Sequence, residues 1–302
     1  MTSLKTELAG VKLKNPTVLA AGILGNTKEL LERVSKSGAG AVTTKSISLN
    51  PRKGNKTPNV IEIEQGLLNS MGLPNPGIDS FLAEIEGIKT DSALIVSVAG
   101  EKTKEFVKVS KKFGDVPDII ELNLSCPNVE GGMLFCQDKK LAGKVVKKVK
   151  KKTEVPVFVK LGPNVNNISE IAKAVESAGA DGITAVNTMP AMAIDLETGK
   201  AIFNRKTGGL SGPALKPIAL RCVYEIAKTV DIPVIGTGGI SSGEDAAEML
   251  MAGAKAVGIG TAVWNHDFDV FNKVNEELEE YMNRKRFKRL EDLVGLTIKG
   301  GK

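Results

Sequence analysis

Eight short apolar segments rich in β-branched residues recur along the chain, and longer amphipathic segments separate them. Parallel strands joined by helices produce this alternation, because each strand is buried on both faces and each helix on one. Eight such units predict a closed barrel, whereas a doubly wound open sheet usually has fewer strands and often an early glycine-rich turn. We therefore predict an α/β fold, a (β/α)8 barrel, with strands at about 17–20, 41–44, 93–97, 118–122, 156–160, 182–186, 233–236 and 256–259.

The connections between these segments support the barrel. Three predicted helix-to-strand turns share one form, "SGAGAV" (37–42), "AGADGI" (178–183) and "AGAKAV" (252–257), and each places glycine where a helix end needs positive φ. Three others, "DVPDII", "EVPVFV" and "DIPVIG", use proline to end the helix and begin the strand. Recurrence of this kind predicts one domain that covers residues 1–302.

The N-terminal segment and two long connections lie outside the eight repeated units. The first residues, "LKTELAGVKLKNP", alternate around Ala9 and Gly10 and predict a hairpin across the bottom of the barrel. The connections at 45–78 and 187–213 are too long for ordinary βα loops, and we expect them to cover the C-terminal face of the barrel.

Composition narrows the class of protein. No apolar run approaches the roughly 20 residues that span a bilayer, and the start lacks a signal-peptide pattern, so we expect a cytoplasmic protein without a membrane partner. The net charge of +6 would suit an anionic ligand or a nucleic acid. The lysines are spread widely, and the valines of "KVVKKVKKKT" (144–153) recur at helical spacing, so we interpret this run as a solvated helix face.

Polar residues follow the predicted strands at the end where barrel active sites lie. They are Ala21, Gly22, Lys45, Ser97, Asn123, Lys160, Asn187, Gly236 to Gly239, Gly260 and Thr261. This set contains no histidine and no carboxylate pair, which argues against glycosidase chemistry. The lone His266 follows the eighth strand and is expected to begin the last helix, where a surface or capping role is favoured.

Glycines and lysines in this set indicate the ligand. "GTGGI" and "GIGTAV" follow strands seven and eight, where barrels bind phosphate through backbone N–H groups. A lysine that faces the mouth is a Schiff-base nucleophile or a fixed cation, and the neighbouring asparagines favour the cation. If the ligand is flavin mononucleotide (FMN), Lys160 or Lys45 would stabilise the negative charge of the reduced ring beside N1 and O2.

The stretch "NLSCPN" (123–128) leaves four roles to weigh for Cys126: packing, metal binding, a disulfide or chemistry. Three cysteines without a C-x-x-C pair argue against a disulfide framework and a zinc or iron–sulfur site. Because Cys126 follows a strand end beside proline, we favour a base that removes a proton from carbon, and we interpret Cys136 and Cys222 as structural. Four asparagines could form hydrogen bonds with a planar ring that bears amide and carboxylate groups: Asn69, Asn123, Asn128 and Asn187.

Across nearly the whole chain, these motifs resemble the dihydroorotate dehydrogenases of class 1. The resemblance is carried by "TTKSISLNPRKGNKTPNVIE", "LLNSMGLPNPG", "ELNLSCPNVEGG", "VFVKLGPNV", "VNTMPAMAIDLETGK", "GGLSGPALKP", "IGTGGI" and "GIGTA". It implies that Cys126 removes the C5 proton of dihydroorotate while hydride leaves C6 for the flavin. Class 2 enzymes have serine at that position, so the cysteine itself indicates class 1.

The resemblance also implies a role for individual residues. Substrate contacts would be Lys45, Asn69, Ser70, Met71, Gly72, Leu73, Asn123, Asn187 and Thr188. The FMN-binding residues would be Ala21, Lys45, Ser46, Asn123, Lys160, Val186, Gly212, Gly238, Gly239, Gly260 and Thr261. Two positions depart from the family pattern, with Ala191 in place of glycine and Ser97 in place of an asparagine near the flavin.

Within class 1 the chain is most similar to class 1B catalytic subunits, on "CPNVEGGMLF", "DLETGK" and "GGLSGPALKPIALR", although "NSMGLPN" is closer to class 1A. Class 1B implies an electron-transfer subunit with FAD and a [2Fe–2S] cluster, NAD as acceptor, and a heterotetramer of two catalytic and two electron-transfer chains. The alternatives are a class 1A homodimer that reduces fumarate, an FMN-dependent dihydrouridine synthase, and a barrel that only binds a phosphorylated ligand.

Overall fold

A computed structural model describes residues 2–125 and 135–300 of the chain. The strands in this part are, in chain order, β1 (Thr6–Leu8), β2 (Val11–Leu13), β3 (Thr17–Leu19), β4 (Ala41–Thr43), β5 (Val60–Ile63), β6 (Gly66–Asn69), β7 (Ala93–Val98), β8 (Ile119–Asn123), β9 (Val157–Leu161), β10 (Gly182–Ala185), β11 (Met189–Ala191), β12 (Ile194–Asp195), β13 (Lys200–Ala201), β14 (Gly208–Ser211), β15 (Val234–Thr237) and β16 (Ala256–Ile259). The α-helices are α1 (Lys28–Lys36), α2 (Ile78–Glu84), α3 (Thr103–Phe113), α4 (Lys139–Lys150), α5 (Ile168–Ser177), α6 (Lys216–Ala227), α7 (Gly243–Met251), α8 (Ala262–His266), α9 (Val270–Lys285) and α10 (Leu296–Lys299).

Eight strands close into a parallel barrel in the order β3, β4, β7, β8, β9, β10, β15 and β16, and β16 pairs with β3. The predicted barrel is therefore confirmed, and each strand lies within one residue of its predicted segment at both ends. Amphipathic helices surround the barrel, because their valine, isoleucine and leucine stripes face the outer side of the strands. In α4, for example, Val145, Val146 and Val149 are buried while Lys147 is exposed, as the sequence predicted.

The N-terminal hairpin plugs the barrel at the end opposite the expected site. β1 and β2 pair antiparallel, and the turn residues Ala9 and Gly10 have φ of +50° and +89°. Two positive φ values are the backbone signature of a tight hairpin turn whose twist matches its strands. Leu8 and Leu13 pack with inward-facing residues of the barrel strands, including Ile119 and Phe158, so the hairpin seals that end of the core.

The two long connections contain strands that the sequence analysis did not predict. β5 and β6 form a hairpin, β14 pairs antiparallel with β6 and β11 with β14, and the resulting sheet has the order β11, β14, β6, β5. β12 and β13 form a separate two-stranded ribbon. The connections are therefore ordered sheet as well as loop, and they bring residue 69 beside residue 209.

His266 does not begin the last helix. It is the final residue of the short helix α8, and both α9 and α10 follow it, so that expectation was wrong. Its side chain is exposed, in line with a surface role. Within the described residues, no helix is long and apolar enough to cross a membrane.

Candidate active site

The C-terminal ends of β8, β9 and β10 bring an amide, a cation and a hydroxyl to the barrel mouth. Asn123 is in register with Lys160 on the neighbouring strand, and Lys160 is in register with Thr184. Asn123 and Lys160 are only 7% and 5% exposed, so both polar groups lie inside the fold. Since a parallel ladder points paired residues to the same side, the three side chains share the barrel interior.

Hydrogen bonds connect four of the expected residues across four strands. The Ser46 and Ser97 hydroxyls lie 2.9 Å apart, and Asn123 Nδ2 donates to Ser46 Oγ at 3.0 Å. Asn187 Nδ2 donates to Asn123 Oδ1 at 3.2 Å. These bonds fix the orientation of the Asn123 amide, and the second N–H of its Nδ2 takes part in neither of them. Ser97, the departure from the family pattern, anchors the chain of bonds, since its backbone N–H donates to Thr44 Oγ1 at 3.0 Å.

Two lysines place positive charge in the mouth. Among the described residues, no carboxylate lies within ion-pair distance of Lys160 or Lys45. Lys45 is half-buried, and burial lowers the pKa of its ammonium group below the usual value. Because an unpaired buried ammonium is costly, such groups are retained where an anion binds.

The sequence analysis did not select Glu121, which lies two residues before Asn123 on the same face of β8. It is 3% exposed, and its Oε1 has no hydrogen-bond partner among the described residues. Thr184 Oγ1 and Thr237 Oγ1, also buried, lack partners as well. The barrel interior beneath the mouth is therefore more polar than the strand pattern indicated.

Glycines occupy close-packed turns after β14 and β15, and Gly260 follows β16. A Cβ on Gly239, whose φ is +77°, would lie 3.0 Å from the backbone nitrogen of Lys216, and one on Gly212 would lie 2.7 Å from Gly66 Cα. The backbone N–H groups of Gly239, Gly260 and Thr261 donate to no atom of the described residues. Free N–H groups at strand ends seven and eight fit a phosphate, the group that the sequence predicted there.

The sheet over the mouth holds the expected substrate segment in place. Asn69 Nδ2 donates to the Gly209 carbonyl at 3.3 Å, and a Cβ on Gly209 would collide with the Thr188 hydroxyl. Asn55, which the sequence analysis did not single out, donates its backbone N–H to the Met71 carbonyl and its Nδ2 to the Ser70 carbonyl, both at 2.9 Å. Nothing in its local sequence distinguishes it from a turn residue.

The structure thus brings several of the predicted residues together. Ser46, Asn123, Asn187 and Lys160 meet at the mouth, whereas Asn69 and Thr188 approach it through β6 and β14. Cys126 and Asn128 lie outside the described residues. Ser125, the residue before Cys126, donates its backbone N–H to Asn123 Oδ1 at 3.2 Å.

The other two cysteines agree with a structural role. Cys136 and Cys222 are fully buried free thiols, and burial raises the pKa of both. A raised pKa keeps a thiol protonated and unreactive at neutral pH. No group of three or more histidine, cysteine or acidic side chains suited to a metal occurs in residues 2–125 and 135–300.

Comparison with known proteins gives one consistent result. The family model described as "Dihydroorotate dehydrogenase" matches residues 3–282. A protein of Pyrococcus abyssi is 47% identical over 297 residues, covering 98% of this chain and 99% of its own. One from Methanocaldococcus jannaschii is 48% identical over 300 residues (97% and 98%), and one from Caldicellulosiruptor bescii is 46% identical over 296 residues (97% and 98%). All three are named "Dihydroorotate dehydrogenase B (NAD(+)), catalytic subunit".

Proposed function

The chain belongs to the dihydroorotate dehydrogenase family, and from that membership we propose that it oxidises (S)-dihydroorotate to orotate in pyrimidine biosynthesis. The substrate loses a proton from C5 and a hydride from C6, and the C5–C6 double bond forms. A bound FMN supplies the hydride acceptor. The protein's own task is to hold the substrate, remove the C5 proton and keep water from the reacting atoms.

The barrel-mouth residues fit FMN. The free N–H groups of Gly239, Gly260 and Thr261 would hold its phosphate, with Gly212 and Gly238 allowing the close approach. Lys160 would lie beside the ring atoms that become negative on reduction. We assign Ala21, Lys45, Ser46, Asn123 and Val186 to the remaining contacts of the cofactor, one FMN per chain.

Asparagines and Lys45 would hold the substrate. Asn123 and Asn187 present donors and acceptors whose directions are set by the hydrogen bond between them and by the bond from Asn123 to Ser46. Lys45 would pair with the substrate carboxylate, which offsets the cost of its burial. The segment Asn69–Leu73 with Thr188 would close the other side, with Asn55 supporting it.

Cys126 would be the base for the C5 proton. A thiolate held against the substrate is a competent base near neutral pH, and the chain offers no histidine in the predicted set for this task. The observation that carries the proposed function is the pair Asn123–Lys160, in register at the mouth, with the Asn123 amide oxygen accepting a hydrogen bond from Asn187. This arrangement is suited to a planar, anionic ligand.

The relatives' names favour NAD as the final acceptor over the class 1A reaction with fumarate. We propose that electrons leave through a separate subunit that carries FAD and a [2Fe–2S] cluster, in a heterotetramer of two catalytic and two electron-transfer chains. The catalytic chain would act as one FMN-binding domain over residues 1–302, in the cytoplasm, without nucleic-acid or membrane partners.

An acceptor assay tests this proposal. Dihydroorotate oxidation is measured with fumarate, with NAD, and with NAD plus the candidate electron-transfer subunit. We expect NAD reduction only when that subunit is present. Efficient fumarate turnover by the chain alone would overturn the NAD-linked assignment, and absence of dihydroorotate oxidation with every acceptor, artificial dyes included, would overturn the proposed reaction.

A further inference from the structure

The inner face of the barrel changes from apolar to polar within one step along its strands. Four inward-facing apolar residues pack with the N-terminal hairpin at the bottom: Ile95, Ile119, Phe158 and Ile235. A polar layer follows, in which each residue lies two positions later on the same face of the same strand: Ser97, Glu121, Lys160 and Thr237. Because barrel interiors are usually filled by branched apolar side chains, this polar layer is better explained by a role at the mouth than by packing.

Glu121 and Lys160 are the charged members of the polar layer. Three charged side chains are buried among the described residues: Glu121, Lys160 and Asp245. Asp245 is paired with Lys216, whereas Glu121 and Lys160 take part in no ion pair of residues 2–125 and 135–300. A buried charge without a counter-charge costs far more free energy than a buried pair of opposite charges. The carboxylate and the ammonium group are therefore expected to compensate one another.

The strand register places these two residues next to each other. Glu121 is in register with Phe158 and Asn123 with Lys160, so Glu121 and Lys160 are diagonal neighbours on β8 and β9. With a strand spacing of about 4.8 Å and a rise of about 3.3 Å per residue, their Cα atoms lie roughly 8 Å apart, which long side chains can span. Since the charged groups are not in direct contact, they interact through the barrel interior, where Coulomb interactions are several times stronger than in water.

The hydrogen bonding of Glu121 differs from that of a carboxylate with a structural role. Asp245 at the start of α7 accepts several hydrogen bonds from the fold. Glu121 Oε1, in contrast, has no hydrogen-bond partner among the described residues. The nearest amide along the strand, Asn123, donates to Ser46 and not to this carboxylate. The negative charge of Glu121 is therefore not spent on capping or bracing the strands, and Lys160 is the group that it faces.

We propose that Glu121 is a positioning residue of the cofactor site: it is the counter-charge of Lys160, and through that lysine it lowers the midpoint potential of bound FMN. This inference rests on the proposed function, because it takes FMN as the group beside Lys160. A hydride transferred to FMN brings two electrons and one proton and leaves the ring with one negative charge. Lys160 stabilises that charge and Glu121 opposes it, so the carboxylate limits how strongly the site favours the reduced flavin.

The midpoint potential of FMN bound to the full chain, measured by equilibration with redox dyes, tests the proposal. Glu121→Gln removes the charge with little change of shape, and Glu121→Asp keeps it. Thr184→Val is the packing control, because Thr184 is in register with Lys160 and its buried hydroxyl carries no charge. Glu7→Gln is the charge control, since it removes an exposed carboxylate from β1 at the opposite end of the barrel.

We expect Glu121→Gln to favour reduced over oxidised FMN by about tenfold or more, which raises a two-electron potential by about 30 mV. Glu121→Asp should lie closer to the unchanged protein than Glu121→Gln does. Thr184→Val and Glu7→Gln should change the same ratio by less than about twofold. An unchanged or lowered potential in Glu121→Gln would overturn the proposal, and so would an equal rise in Thr184→Val, because packing would then explain the effect.

Urea unfolding of the full chain without FMN separates this inference from the proposed function. Lys160→Met leaves Glu121 buried without its counter-charge and should lower the folding equilibrium constant by about tenfold or more. Glu121→Gln should destabilise the unchanged protein but stabilise the Lys160→Met variant. A double variant no more stable than either single variant would overturn the pairing, even where a single variant does not fold. Failure of dihydroorotate to reduce the flavin would overturn the proposed function and leave this comparison unaffected.

Discussion

At the scale of single residues, Lys45 shows how binding and stability oppose one another. Burial lowers the pKa of its ammonium group, so the charged form destabilises the fold at neutral pH. The folded pKa lies below the unfolded value of 10.5, and this destabilisation disappears as pH rises from the folded pKa to that value. An anionic ligand offsets the cost by pairing with the charge.

We predict opposite effects of Lys45→Met on binding and on stability. Orotate affinity should fall by about 10- to 100-fold, because a hydrogen bond to a charged group contributes roughly 1.5–3 kcal/mol. The free energy of unfolding without ligand should rise at pH 7, and the difference from the unchanged protein should shrink as the pH approaches 10.5. Urea denaturation and orotate titration measure the two quantities. Lys53→Met, at an exposed position, is the control, and parallel effects in both variants would refute this account of Lys45.

A second prediction at this scale concerns Cys126. The variant Cys126→Ala should keep FMN but lose most of its turnover at neutral pH, by about 100-fold or more, because proton abstraction lacks its base. Activity should partly return at alkaline pH, where hydroxide replaces the thiolate. Steady-state kinetics from pH 6 to about pH 10 check this, with Cys222→Ala as the control, and full activity of Cys126→Ala would exclude the assigned role.

Sequence reasoning reached some of these residues and not others. Asn123 and Lys160 were accessible because strand ends in a barrel converge on the mouth wherever they lie in the chain. Asn55 was not, because its role depends on a contact with the Ser70 and Met71 carbonyls that no local pattern encodes. Glu121 was hidden within an apolar strand, and the assignments to individual substrate contacts remain predictions.

At the scale of elements, the start of α7 combines a cap with an ion pair. Asp245 accepts hydrogen bonds from the N–H groups of Ser241 and Ser242 and from Lys216 Nζ at 2.7 Å. Burial raises the pKa of this carboxyl, but hydrogen bonds from Lys216, Ser241 and Ser242 outweigh burial and hold the pKa below the usual value. The stability it contributes is therefore present above the unfolded pKa of about 3.9 and is lost as pH falls through the folded pKa.

Asp245→Asn should accordingly lower the free energy of unfolding by roughly 2 kcal/mol at pH 7, and by less at pH 3. The neighbouring Glu244→Gln, whose side chain is largely exposed in a 3.5 Å pair with Arg284, should change it by less than about 0.5 kcal/mol. Urea unfolding at both pH values provides the comparison. A loss for Asp245→Asn that does not depend on pH would contradict the charge-based explanation.

The glycine turn after β15 leads to a further prediction, which concerns the affinity for FMN. Gly239→Ala should weaken FMN binding by about tenfold or more, because its Cβ would crowd Lys216 in a turn at positive φ. Gly199→Ala has a similar φ of +64° with no atom near the added Cβ, and it should leave FMN affinity within about twofold. Fluorescence titration of the apoprotein with FMN distinguishes them. Equal FMN affinities of the two variants would show that this turn does not bind the cofactor.

Strand boundaries were predictable because parallel barrel strands are buried on both faces, and four of the eight (β3, β4, β9 and β15) begin directly after glycine or proline. The antiparallel sheet over the mouth was not. Its strands are three or four residues long, two of them begin with glycine, and β14 pairs with β6 across more than a hundred residues. Such pairing is decided by tertiary packing, which short-range patterns do not record.

At the scale of the whole molecule, barrel closure is what makes the site. Residues from β4 to β16 converge only because β16 returns to pair with β3, and the hairpin at the opposite end fills the remaining opening. The barrel closure was predicted from the eight strand segments in the sequence, and the reaction was predicted from the family resemblance. The electron-transfer partner lies beyond what one chain encodes, since neither strand pattern nor strand-end chemistry specifies it.

Anaerobic titration of the FMN-loaded chain with dihydroorotate tests the central claim most directly. Flavin absorbance is followed without NAD, fumarate or a partner subunit, so that only the chemistry of this chain contributes. We predict that dihydroorotate reduces the flavin completely, with one orotate formed for each FMN. A flavin that dithionite reduces but dihydroorotate leaves oxidised would contradict the account.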